Sequence, residues 1–183
     1  MQNTERPATP TRAPDRRVRR TREALRVALL DLLVERDWDA IDVQSLCERA
    51  DVGRSTFYLH YEDRTALLRG AFDDLRAGLL AGAALDVLPG LLAHVEAQRA
   101  VFVALLGRRS GRPVQEHFIA MLVDLFRDTE VASVDPTEPP WAAEARAHAL
   151  AGALFQTLVW WLGSQPMLPA RSVEDWFRRL IAR

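Results

Sequence analysis

Residues 41–68, IDVQSLCERADVGRSTFYLHYEDRTALL, constrain this chain more than any other stretch, because they hold two short helical patterns separated only by Asp51-Val52-Gly53. Val43, Leu46, Cys47 and Ala50 recur at i, i+3, i+4 and i+7, which lines one face of a helix about two turns long. Asp42 precedes that stripe and is placed to accept a hydrogen bond from the free amides of the first turn. The break ends in Gly53, read as the residue that takes the backbone angle other residues resist. A second helix is expected from about Arg54. Phe57 and Tyr61 point to one side of it, and Arg54, Ser55, Tyr58 and Leu59 to the other. A tight turn between short helices, the second offering cations, hydroxyls and an aromatic, is the pattern of a DNA-reading helix-turn-helix.

The stretch from Arg19 to about Phe72 closely resembles the DNA-binding domain of TetR-family transcriptional regulators. The resemblance is carried by Leu46-Cys47-Glu48-Arg49-Ala50-Asp51-Val52, by Arg54-Ser55-Thr56-Phe57-Tyr58-Leu59-His60-Tyr61, and by Arg64 with Ala66-Leu67-Leu68. It covers roughly the first 75 residues; beyond them only an all-helical plan is shared. The resemblance implies that the second reading helix enters the major groove, with Arg54 at base edges and Ser55 and Leu59 beside it. It also implies that Thr56, Tyr58 and His60 hold phosphates, with ordinary packing inside the head as the alternative for Tyr58 and His60. Gln44 matches a further contacting position, and Arg64 opens the next helix, where free amides also favour an anion. Two departures stand out. Gly53 replaces a common Ser, removing a capping hydroxyl, and Glu62 lies near the expected phosphate path.

A net charge of −1 suits such a function only when it is resolved along the chain. Residues 1–22 carry seven Arg and two acids, residues 23–69 six Arg and ten acids, and residues 70–183 eleven Arg and thirteen acids. Positive charge is therefore concentrated at the N-terminus, and DNA approach depends on local placement. Arg16, Arg17, Arg19 and Arg20 either track phosphates or enter a minor groove, as arms of other helix-turn-helix proteins do, or belong to a solvated extension. Asp31, Glu35, Asp37 and Asp39 are expected to face away from the phosphates. Every cation is Arg, so each phosphate contact is open to a planar, bidentate geometry.

The chain of 183 residues, 49% of them apolar, is long enough to bury a sizeable core. No apolar run approaches the ~18 residues of a membrane span, and no apolar stretch follows the basic N-terminus as in a secretory signal. A lone cysteine forms no internal disulfide, which fits a reducing cytoplasm; Cys47 reads as a small buried residue.

These features predict an all-α chain of about nine helices. Residues 1–14 form a flexible tail containing basic residues and Pro; residues 15–62 form the DNA-binding domain, with its reading unit at about 42–61. A connecting helix spans 63–84, capped by Asp63, and a helical effector-binding and dimerisation domain spans 85–183. Within that last part, Pro, Gly and Ser breaks delimit helices near 87–106 (split near Gln98), 113–130, 141–164 and 172–182. Trp38 is placed to cover the end of the Leu25, Ala28, Leu29, Leu32, Leu33 stripe.

Ala149 to Leu162 is apolar nearly all round, and a helix without a polar face must be covered on more than one side. Phe155, Leu158, Val159, Leu162, Trp176 and Leu180 are read as a homodimer interface, or else as filling of a monomer core. The resemblance implies pairing through the last two helices into a four-helix bundle. It also implies a regulatory site in the C-terminal half, where a ligand would tilt the fourth helix. Phe102, Leu105, Phe118, Met121, Leu122, Phe126 and Trp160 are the candidate walls for a small apolar or aromatic effector, with plain core packing as the alternative for each.

His94, His117 and His148 stand alone, without metal-ligand spacing, so no metal or cofactor is expected. Neither a glycine-rich phosphate loop, a nucleophile elbow nor a catalytic cluster occurs, which argues against an enzyme. The expectation is a ligand-responsive homodimeric repressor of a palindromic double-stranded operator. The alternative is a regulator whose C-terminal domain binds a partner protein.

Overall fold

The computed structural model describes residues 12–82, 87–107, 110–128, 138–166 and 168–181. Among them are nine α-helices and no strand. They are α1 (Arg12–Glu35), α2 (Val43–Ala50), α3 (Arg54–Tyr58), α4 (Arg64–Gly82), α5 (Leu88–Ala97), α6 (Arg99–Leu106), α7 (Gly111–Arg127), α8 (Ala142–Gly163) and α9 (Ala170–Ile181). A 3-10 turn, Trp38–Ala40, links α1 to α2. The expected tail lies mostly outside the described residues. Its last part, Arg12-Ala13-Pro14, is helical: proline is tolerated in a first turn, where no intrahelical acceptor awaits its missing N–H.

The head is built by α1–α3 and the start of α4. Leu25, Leu29 and Leu32 of α1 face Leu46 of α2, Phe57 of α3 and Leu67 of α4, all buried. Trp38 closes the end of the α1 stripe as expected and is itself buried. Gln98 divides α5 from α6 at the expected place, with a backbone (φ −108°, ψ 32°) that ends one helix and starts the next.

In the body, α7 packs along α8 and against α4, α6 packs on α8 and α1, and α5 packs on α9. Phe118 of α7 is the meeting point. Its ring lies 5.5 Å from Phe72 of α4, 6.0 Å from Phe102 of α6 and 6.4 Å from Phe155 of α8. Tilted and edge-on rings at such distances attract beyond their buried area. Helix α4 thus belongs to both halves: its first turn supports the reading unit and its middle lies in the aromatic core.

Polar ties reinforce the body. Arg99 donates to the Leu162 carbonyl at 2.7 Å, the Ala170 amide donates to Glu96 at 2.9 Å, and the Trp161 indole donates to the Leu168 carbonyl at 2.7 Å. Among the described residues no buried side-chain nitrogen or oxygen lacks a hydrogen-bond partner. No helix among them is long and apolar enough to cross a membrane, and no group of His, Cys, Asp and Glu is set to hold a metal.

Candidate nucleic-acid interface

Helix α2 is fixed at both ends by its own sequence. The Asp42 carboxylate accepts from the Ser45 amide at 2.8 Å, and the Asp42 amide donates to the Ser45 hydroxyl at 3.2 Å, a reciprocal cap. The hydrogen bond from the Ser45 amide, more than any other contact, holds the Asp42 carboxyl below its ordinary pKa. At the other end Asp51, not Gly53, turns the chain: it holds φ 52° and ψ 47°. Asp tolerates this left-handed conformation because its short polar side chain bonds locally. Gly53 is extended (φ −65°, ψ 146°), which any residue adopts, so the angle expected of it is supplied two residues earlier.

From Gly53 the chain enters α3, whose Phe57 is fully buried; Tyr61, just past its end, packs partly buried against the same core. This anchoring sets the opposite side outward. Arg54 and Ser55 are exposed, Tyr58 is 53% and Leu59 80% exposed, and Thr56 and His60 are half-buried. Leu59 is the most open large apolar side chain among the described residues. The α-helix ends at Tyr58, but Leu59, His60 and Tyr61 continue its turn by donating to Ser55, Thr56 and Phe57 carbonyls. The Tyr58 ring meets Phe57 edge-on at 5.4 Å, which orients it while leaving it accessible.

Beside this face, Gln44, Cys47, Glu48, Asp51, Val52, Gly53 and Arg54 line an open hollow of about 500 Å³ between α2 and α3. Gln44 enters it already committed, its side-chain amide donating to Glu48 at 2.9 Å. Glu48 was not singled out from the sequence, although its i, i+4 spacing from Gln44 signals such a pair. Cys47 is packed into the head at 5% exposed, and burial raises its thiol pKa.

Arg16, Arg17, Arg19 and Arg20 are exposed on the first turns of α1, so these cations are displayed on a helix rather than on an extended arm. The acids that threatened repulsion are partly neutralised within the head. Arg49 donates to Glu35 at 2.9 and 2.7 Å and lies 4.0 Å from Asp31, and this pairing lowers the Glu35 pKa.

Arg64 departs from expectation. Its guanidinium lies over the Trp38 ring, 4.5 Å from the centroid, and donates to the Trp38 carbonyl at 2.7 Å and to the Ile41 carbonyl. It is turned into the head by a flat ring and a pair of turn carbonyls that match a planar, multi-donor cation.

The dimerisation residues divide. Leu158 is fully buried in its own protomer and Leu162 is 5% exposed, so both face inward, against the interface reading. Phe155 and Val159 are half-buried. Trp176 and Leu180, at 48% and 47% exposed, lie outward, and so do Ala145, Ala149, Gly152 and Gln156 on α8. Trp160 is 56% exposed on that outer side, so it forms no inner wall of the protomer. The remaining wall candidates, Phe102, Leu105, Phe118, Met121, Leu122 and Phe126, are all buried in the core. A hollow of about 310 Å³ opens instead on the outside of α7 and α8, floored by Ile119, Ala120 and Val123 and rimmed by Glu116, Asp124, Arg127 and His148.

No family model matches the chain. Over 106 residues, 57% of this chain and 27% of the relative, it is 34% identical to the uncharacterized HTH-type transcriptional regulator YxbF of Bacillus subtilis. The chain thus spans about a quarter of the length of that curated relative. A TetR transcriptional regulator from Streptococcus agalactiae shares its structure with a TM-score of 0.68 at 25% identity, over 92% of this chain and 97% of that one. Two more distant structures share the fold. NalD of Pseudomonas aeruginosa, the secondary repressor of the MexAB-OprM multidrug efflux pump, has a TM-score of 0.56 at 18% identity, over 91% and 96% of the two chains. The fatty acid degradation regulator FadR of Bacillus halodurans has 0.59 at 12%, over 88% and 94%. These proteins are transcriptional regulators, not enzymes. The chain is thus similar over part of its sequence to an HTH-type transcriptional regulator, and its all-helical fold is that of solved TetR transcriptional regulators.

Proposed function

We propose that the chain is a cytoplasmic DNA-binding repressor that reads a palindromic duplex as a homodimer. The observation that carries this reading is the outer face of α3, where Arg54, Ser55, Tyr58 and Leu59 stand exposed on a helix anchored from behind by buried Phe57. Arg54 would read a guanine edge and Leu59 a thymine methyl, while Thr56, Tyr58 and His60 hold phosphates. Two such heads on one two-fold axis demand half-sites about 34–36 Å apart. The exposed strip of Ala149, Gly152, Gln156 and Trp160 on α8, with Trp176 and Leu180 on α9, supports pairing through the last two helices.

Selecting bound duplexes from a random pool tests the reading, with a palindromic site as the expected product. On that site Arg54→Ala should cost about 1–3 kcal/mol and relax preference at one base pair. An equal loss on every sequence would make Arg54 a phosphate contact.

We further propose that a small apolar or aromatic molecule releases the operator by binding among the rings around Phe118. Because Phe72 of α4 belongs to that cluster, spreading it would move the helix beneath the head. Linkage requires the ligand to prefer the DNA-free form, and DNA to weaken ligand binding by the same factor. The second reading, a protein partner on the body, is favoured by one observation: the candidate wall residues fill the core, and the 310 Å³ hollow faces outward. A thermal-shift screen followed by operator release separates the two. Compounds that stabilise the protein without altering DNA affinity would sink the effector reading.

A further inference from the structure

Three parts of the fold converge on Trp38, which is 2% exposed. From one side comes Arg64, the first residue of α4. It stacks on the indole and bonds the Trp38 and Ile41 carbonyls, with its second terminal nitrogen 3.9 Å from Asp39. From another comes Gly111, the first residue of α7, with φ 73°; a Cβ added there would lie 3.9 Å from the Trp38 Cβ. The third is the 3-10 turn itself, which leads through Ile41 into the Asp42 cap of α2.

We propose that Arg64 is a positioning residue for DNA reading: it clasps the 3-10 turn to the first turn of α4 and thereby sets the attitude of α2 and α3. This rests on the DNA-binding reading above and assigns Arg64 a role other than phosphate contact. The donor geometry carries it. One guanidinium nitrogen serves two carbonyls while the flat face of the group covers the indole. Releasing it toward a phosphate would open both carbonyl bonds and uncover the ring. The two carbonyls lie at the first residue of the 3-10 turn and at the residue that caps its end, so the cation fixes the turn through which the reading unit leaves α1. Lysine could offer one nitrogen to the carbonyls, but as a point charge without a planar face it does not reproduce the stack on the indole. At a phosphate contact, by contrast, lysine would serve.

The test uses the full chain, its selected operator and a random duplex, with affinity followed against salt. As a clasp, Arg64→Ala lowers operator affinity about tenfold, leaves random-duplex affinity and the salt slope unchanged, and is not rescued by Arg64→Lys. A slope reduced by about 0.9, equal losses on both duplexes and rescue by Arg64→Lys would overturn the proposal in favour of a phosphate contact. Should Arg64→Ala fail to fold, the milder pair Arg64→Lys and Trp38→Phe decides. Non-additive losses in operator affinity support the clasp, and additive losses overturn it. Wild-type protein that binds no duplex would instead overturn the DNA-binding reading itself.

Discussion

Asp51 and Gly53 show how the turn of the reading unit can be right in outline and differently built in detail. Since Asp51 supplies the left-handed residue, Gly53 is an extended helix cap with room around it. A Cβ there would meet the Ser55 and Thr56 hydroxyls only at 3.9 Å, ordinary van der Waals distance. Gly53→Ser should therefore stabilise the chain by a few tenths of a kcal/mol through a new cap on α3, read as a higher urea midpoint at unchanged slope. A lower midpoint would show that the added atoms clash. Residue identity alone did not reveal this arrangement, because Asp and Gly both favour turns and only the backbone says which one bends. Arg64 behaves in a similar way: its place at a helix start suggested an anion, but the partner that claims it is Trp38, far away in sequence.

Among the elements, boundaries were the most legible feature. The cap at Asp42, the cap at Asp63 (accepting from the Ala66 amide at 2.7 Å) and the split at Gln98 all rest on local chemistry that a sequence displays directly. Helix α8 was harder to orient. Apolar residues lie on nearly every side of it, so periodicity gave no direction, and Leu158 and Leu162 prove to face the core while Gly152 and Trp160 face out. At the N-terminus, α1 carries its cations on a regular scaffold. Replacing Arg16, Arg17, Arg19 and Arg20 with Ala should flatten the plot of log affinity against log salt by about 0.9 for each phosphate that is no longer neutralised. An unchanged slope would leave these residues as a solvated helix end.

For the molecule as a whole, the outward strip on α8 and α9 directs the test of assembly. Trp160→Asp should turn a dimer into a monomer in sedimentation, with the far-UV spectrum intact, since the site is exposed in one protomer. Leu158→Ala is the contrasting variant: it should lower stability by about 2–5 kcal/mol through a core cavity while the folded fraction stays paired. A dimeric Trp160→Asp protein would move the interface elsewhere. Pairing could not be read from one chain's pattern, because a surface buried by a twin and one buried by the chain itself carry the same residues.

Helix α4 also sets an angular tolerance. It runs unbroken from Arg64 to Gly82, with Phe72 held in the aromatic core. Arg64 stands about 12 Å along the axis from Phe72 at about 1.5 Å per residue, so a rotation of about ten degrees about that ring carries the first turn roughly 2 Å. The useful range of a hydrogen bond to a base edge is only about half an ångström wide. A few degrees of slack in the aromatic cluster would therefore blur the register between α3 and the bases, so the tightness of a core that touches no DNA becomes a determinant of how sharply one sequence is told from the next.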